Sequence, residues 1–404
     1  MAEIYEYELF GTNDDEFKKI LQTKKSSKKI QIGIDDISRL KSPESNWARL
    51  SKLTELEDFC VGDVSIDLTV LKRCPKLKKL CLFYALIPSD DILSSLPLLE
   101  ELYIYDLSAS YHLTNAGFIN MTNLRKLDLL VDCMVTNDVF SNFPQLKHLG
   151  LELKRDFCQI DDDFCDYVPN IRSLKIIRSE KITGKKFHKL RKLIRLELND
   201  KIINNEYIYD LKNLRTLKIG LFNYTHQQPC IDARDLNLAG IAKHKTLEML
   251  NLEDFPVVEK LYEIASFKNL KYLILPSYYN FFDKPEIDLT KILSKLTGLK
   301  MLHYHGKIDI TKFTNLEFLS TYPKNNIDLS LLPNLKYFHT RVDPDSDIFQ
   351  KIRLLDRPLT IFYSNDSNIY FKIKEFKSGI HTFIRTGEID EAFKYYLKHK
   401  KAPT

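Results

Sequence analysis

A leucine-x-x-leucine-x-leucine pattern returns thirteen times along the chain, starting at Leu56, Leu77, Leu99, Leu124, Leu146, Ile171, Leu193, Leu214, Leu247, Leu270, Leu299, Leu316 and Leu335. Eight of the twelve spacings fall between 21 and 25 residues, and the longest are 33 and 29. Five positions per copy give a stricter test: six and three residues before the start, the start itself, then three and five after it. Of these 65 sites 62 are apolar, where a 44% hydrophobic composition predicts about 29. The exceptions are His244, Thr321 and Thr340. A repeat this dense restricts the chain to one architecture, a solenoid in which each copy buries its inner face only against its neighbours.

Each position has a physical role. The segment after a start is a short strand, so residues at plus three and plus five point inward while plus two, four and six point to the other face. Residues at minus six and minus three belong to a helix or turn that closes the back of the coil. The expected fold is α/β: a parallel, concave sheet of strands about 4.8 Å apart, with short helices or turns on the convex side. The array is assigned to residues 46–363, with an N-terminal capping segment at 1–45 and a C-terminal helical cap at 364–404. Asp15–Leu21 reads as a short helix, Lys29–Ile34 as a strand over the first repeat, and Pro358–Tyr363 as a last strand. Glu388–Lys398 reads as a helix with Ile389, Phe393, Tyr396 and Leu397 on one face.

Copies such as Leu113-Thr-Asn-Ala-Gly-Phe-Ile-Asn-Met-Thr-Asn-Leu-Arg-Lys-Leu-Asp-Leu129 resemble leucine-rich repeats, closest to the cysteine-containing and ribonuclease-inhibitor-like classes. The resemblance implies the fold and says nothing specific about function. One departure stands out. The family usually places Asn or Cys after the last strand leucine, forming a ladder between turns. That place here holds Val64, Ala85, Leu107, Lys154, Lys201 and Lys307, and only Asp132-Cys133 comes close.

Composition narrows the function. Sixty basic residues against 55 acidic leave a net charge of +5, too even for the concentrated basic face of a nucleic-acid binder. The first residues are acidic and lack the apolar run of a signal peptide. No uninterrupted apolar stretch approaches the roughly 18 residues of a membrane span. Seven cysteines without a C-x-x-C pair fit reduced thiols, and the chain is expected to be intracellular, in the cytoplasm. There is no Gly-rich phosphate loop, no Gly-x-Ser-x-Gly elbow and no His-Glu-x-x-His, so neither catalysis, cofactor nor small-molecule substrate is expected. His303 and His305 share one face of a strand as zinc ligands do, but no third ligand is at hand, and no metal site is assigned.

The expected work is therefore non-catalytic: binding another protein through the concave sheet and rim loops. Two narrower alternatives are a substrate receptor of a ubiquitin ligase and an inhibitor or regulator of a partner enzyme. The N-terminal segment shows no Leu-Pro-x-Glu start of the F-box that such ligase receptors carry. Outward residues of the early copies include Asp58, Cys60, Lys79, Phe83, Glu101, Tyr103 and Tyr105. The late copies turn aromatic and basic, and the candidate partner-binding residues are Tyr272, His303, His305, Phe318, Tyr322, Tyr337, His339 and Arg341. The long spacings at Leu221–Pro229 and Pro276–Asp283 are expected as overhanging loops. Three readings of the late patch are open: a hot spot, a surface covered by the C-terminal cap, or a register that slips at Thr321 and Thr340.

Overall fold

On the back of each repeat the apolar residues fall three apart, and the backbone explains that interval. Amides donate to carbonyls three residues earlier: Leu96 N to Leu93 O (3.0 Å), then Leu99 N to Leu96 O (3.2 Å); likewise Phe143 N to Phe140 O (3.1 Å), then Leu146 N to Phe143 O (3.0 Å). Three residues per turn eclipses side chains three apart, which aims one apolar stripe inward. The minus-six residue sits in a short helix or 3-10 turn, such as Asp90–Ser94 around Leu93, Asn137–Asn142 around Phe140 and Leu261–Ser266 around Ile264.

The structure is a computed structural model. It describes residues 8–9, 29–32, 54–62, 68–83, 89–105, 113–130, 133–152, 159–177, 179, 181–199, 205–220, 238–253, 261–275, 289–304, 308–321, 327–340, 351–352, 354–363, 382–385 and 389–400. Two units make up the chain, Ala2–Asn213 and Leu214–Thr404. The N-terminal unit holds β1 (Glu8–Leu9), β2 (Lys29–Ile32), β3 (Asp58–Gly62), β4 (Lys79–Phe83), β5 (Glu101–Tyr105), β6 (Lys126–Leu130), β7 (His148–Glu152), β8 (Ser173–Ile177) and β9 (Arg195–Asn199). Each strand pairs in parallel with the next. The C-terminal unit holds β10 (Thr216–Ile219), β11 (Met249–Asn251), β12 (Tyr272–Ile274), β13 (Met301–Tyr304), β14 (Phe318–Thr321), β15 (Tyr337–Thr340), β16 (Thr360–Tyr363) and β17 (Thr382–Arg385), again parallel and sequential. The helix Ile389–Lys400, called α1 below, follows.

The thirteen strands β3 to β15 each begin two residues after a start of the repeat. Of the five inward positions per copy, Leu50 and Leu53 lie outside the described residues, and the other 63 are all buried. Thr321 and Thr340 are among them, 2% and 1% exposed, so the register does not slip there. The chain is a leucine-rich-repeat solenoid. Strand β2 lies on the first repeat strand, as expected for Lys29–Ile34, whereas the helix expected at Asp15–Leu21 lies outside the described residues. The sheet runs past the expected end at residue 363, because β17 adds one more parallel strand.

The expected ladder positions Val64, Ala85, Leu107, Lys154, Lys201 and Lys307 lie outside the described residues. A different ladder is present. The residue just before a start is often Asn, and its amide donates to the carbonyl two residues before the previous start. In the N-terminal unit Asn123 reaches Pro97 O (3.0 Å) and Asn213 reaches Arg191 O (2.7 Å). In the C-terminal unit Asn269 reaches Lys245 O (2.6 Å), Asn315 reaches Thr297 O (3.0 Å) and Asn334 reaches Thr314 O (2.9 Å). These bonds occupy carbonyls left over where one turn gives way to the next strand. The N-terminal unit adds a second ladder on its back. Asn115 Nδ2 donates to Thr136 Oγ1 (2.7 Å) while Thr136 N donates to Asn115 Oδ1 (3.0 Å), and Asn137 and Asp161 repeat the exchange one turn later.

Candidate functional site

Strand alternation sets the residues at plus two, four and six of each copy on the sheet face turned away from the core. In the N-terminal unit no described element crosses that face, and its outward residues Cys81, Asp128, Gly150 and Glu152 are buried among their strand neighbours while Phe83, Tyr103 and Tyr105 are half-buried. Along β5 burial alternates: Leu102 and Ile104 are buried, while Glu101, Tyr103 and Tyr105 on the other face are half-buried. Parallel register sets residues of neighbouring strands side by side, Phe83 next to Tyr105 and Cys81 next to Tyr103. The Phe83 and Tyr105 rings stack with centroids 4.8 Å apart and planes 13° from parallel. Lys79 Nζ lies 6.0 Å from the Tyr103 ring centre, within cation–π range.

The polar heart of this face is Asp128 on β6. Tyr105 OH donates to its Oδ2 (2.9 Å), and His148 Nε2 on β7 lies 2.7 Å from its Oδ1. Burial alone pushes the Asp128 carboxyl upward. The hydrogen bonds and charge of His148, the Tyr105 hydroxyl and the Lys175 charge together outweigh it, so the carboxyl titrates below its ordinary range. Gly150 makes room for this arrangement, since a Cβ there would collide with the Asp128 carboxylate. The Tyr103 and Tyr105 phenols are held well above their ordinary value, first by burial and then by the neighbouring Glu101 and Asp128 charges. Ser173 stands beside His148 in register. The face thus presents Tyr103, Tyr105 and the stacked Phe83 beside the hydrogen-bonded Asp128–His148 pair, a composition suited to contact.

In the C-terminal unit the corresponding face is covered. Strands β13 and β14 are buried at every position, on both faces. Helix α1 lies over them. Its Ala392, Phe393 and Tyr396 form one apolar cluster with Ile274, Met301, Phe318 and Phe362, with Tyr272 and Tyr337 packed against it. Phe318 sits 5.5 Å from the Tyr396 ring and 6.5 Å from Phe393, and Tyr337 sits 5.2 Å from Tyr396. Tyr396 OH closes the contact by donating to Glu317 Oε2 (2.9 Å). The expectation that Tyr272, Phe318 and Tyr337 stand open to a partner is corrected: the chain's own helix occupies them. Phe393, Tyr396 and Leu397, expected on one helix face, do face the cluster.

His303 and His339 are each 2% exposed. Ser320 lies between them, its Oγ 2.7 Å from His303 Nδ1 and 2.8 Å from His339 Nδ1. They form a buried hydrogen-bonded row across three strands. His305, Tyr322, Arg341 and the loops at 221–229 and 276–283 lie outside the described residues. Among the described residues no three His, Cys, Asp or Glu side chains are grouped as metal ligands, and no helix is long and apolar enough to cross a membrane.

Comparison with solved structures finds other repeat proteins. An internalin of Listeria monocytogenes matches with 18% identity over 71% of this chain and 81% of its own, at a TM-score of 0.44. A leucine-rich-repeat protein of Leptospira interrogans matches with 17% identity over 91% and 98%, at 0.45. The functional domain of InlJ from Listeria monocytogenes, which includes a cysteine ladder, matches with 16% identity over 79% and 71%, at 0.40. No protein-family model and no curated protein matches the chain.

Proposed function

We propose that this chain is a non-catalytic protein-interaction module whose contact surface is the outward sheet face of β4 to β8, anchored by Phe83, Tyr103 and Tyr105. The observation that carries this reading is the contrast between the two units. Aromatic side chains line both sheet faces, but in the C-terminal unit they are spent on α1, while in the N-terminal unit they are half-buried and no described element crosses them. Tyrosine supplies large, rigid contact area with a polar tip, the makeup of interface anchors. The Asp128–His148 pair and the Lys126–Glu101 pair (2.5 Å) fix charges around those rings and give a partner something to read. Five described cysteines are buried free thiols, which supports a reducing, intracellular setting for this work.

Affinity capture tests the proposal by comparing the intact chain with a Phe83→Ala, Tyr103→Ala, Tyr105→Ala variant whose fold is verified by circular dichroism. Hot-spot truncations cost about 2 kcal/mol or more each, so specific partners should vanish from the variant. Partners that persist on the folded variant would refute this surface.

A further inference from the structure

The edge of the C-terminal unit where the chain enters its strands carries a second surface. In parallel register, the residues one step before β10, β11, β12 and β13 are Arg215, Glu248, Lys271 and Lys300. Their backbones stack in order, Glu248 N donating to Arg215 O (2.9 Å), Lys271 N to Glu248 O (2.8 Å) and Lys300 N to Lys271 O (2.8 Å). At a strand spacing of about 4.8 Å the row is roughly 14 Å long. Beside it runs a shorter row, Lys245 and Lys268, and the two rows bound a recess of about 510 Å³.

Two observations mark this recess as unfilled by the described residues. Five cations line it against one carboxylate, Glu248, which already lies 3.1 Å from Lys271 Nζ and 3.9 Å from Arg215. Glu317 takes Lys300 (2.7 Å), but Lys245 and Lys268 face no carboxylate among the described residues. At the same edge of the N-terminal unit, Lys76 meets Glu55 (2.7 Å) and Lys78 meets Glu57 (2.9 Å). The second observation is Gly298. It occupies the ladder place that Asn269, Asn315 and Asn334 fill with amides. A Cβ there would meet only Leu270 O at 3.7 Å, so sterics do not demand a glycine. Its missing side chain leaves the floor of the recess open.

We infer that this recess binds an acidic, extended segment of a protein partner, its carboxylates seated between the Lys245–Lys268 row and the Lys271–Lys300 row. The alternative polyanion is a nucleic acid, and the lining argues against it. No aromatic side chain lines the recess to stack a base, and Glu248 and Glu317 interrupt the cation row where a continuous phosphate chain would meet them. A peptide with spaced acids tolerates both. This inference does not depend on the outward face of the N-terminal unit.

Fluorescence anisotropy on the full chain tests it, with a dye-labelled octaglutamate peptide and a dye-labelled oligothymidine as probes. The octaglutamate should bind, weaken steeply with added salt, and weaken by about tenfold or more in a Lys245→Glu, Lys268→Glu variant, because exposed charges act over a Debye length of roughly 8 Å. Lys243→Glu with Lys295→Glu carries the same charge change on exposed residues outside the recess and should have less than a threefold effect. Gly298→Asn should weaken binding without changing charge, by filling the floor. No octaglutamate binding, equal losses in both double variants, or oligothymidine binding more tightly and lost in the Lys245→Glu, Lys268→Glu variant would each overturn the inference.

Discussion

Replacing Phe393 with alanine tests whether α1 holds the late aromatic face closed. The ring is 5% exposed, with centroids 5.5 Å from Tyr272, 6.1 Å from Tyr396 and 6.5 Å from Phe318. Truncating a buried phenylalanine costs about 3–5 kcal/mol, from lost transfer energy and the cavity left behind. The helix has an escape that core strands lack, since it can leave the sheet on its own. Its 12 residues are at or below the length at which isolated helices are stable, so leaving also means melting. The loss therefore falls on docking. At about 1.4 kcal/mol per factor of ten, protection of the α1 amides against hydrogen exchange should fall by roughly two to three and a half orders of magnitude. Amides of β5 to β8 should keep theirs, and a dye that reports exposed apolar surface should brighten as Phe318, Met301 and Phe362 become accessible. Unchanged α1 protection, or a fall shared equally by both units, would refute the reasoning. Alkaline pH gives a second arm. Burial first, and then the Glu317 charge, hold the Tyr396 phenol well above its ordinary value. A folded value above the unfolded one means the contribution is whole below the unfolded pKa of about 10 and is lost as pH rises beyond it. The α1 protection should therefore decline above pH 10, and Tyr396→Phe should flatten that decline.

Two further substitutions probe the frame. Gly150→Ala should drive the Asp128 carboxylate off His148 and destabilise the N-terminal unit by about 1–3 kcal/mol, as overpacking does, and an unchanged urea midpoint would contradict the close packing of these two residues. Asn269→Ala removes one ladder bond, to Lys245 O (2.6 Å), and should cost about 0.5–1.5 kcal/mol in denaturant titration. Asn315→Ala, one of the same series, should cost a similar amount.

The repeat itself was written in the sequence, because it is enforced locally. A three-residue turn followed by a strand puts minus six, minus three, start, plus three and plus five on one side whatever lies elsewhere, so the apolar count and the burial agree. The asparagine ladder was also legible, as the Asn that precedes the starts at Leu124, Leu214, Leu270, Leu316 and Leu335. It lies before each strand, and not after the last strand leucine where such repeats usually carry their ladder. The recess at Gly298 follows from that ladder but needed the stacked rows to be seen. Only the tertiary structure decided between the two aromatic faces. Phe318 and Tyr337 alternate outward on their strands just as Tyr103 and Tyr105 do, and periodicity carries no mark of what covers a face. The cover comes from Tyr396, 79 residues beyond the Glu317 it bonds. Strand alternation assigns a side chain to a face; burial of that face depends on which distant segment finds it worth packing against, and that is a property of the folded chain.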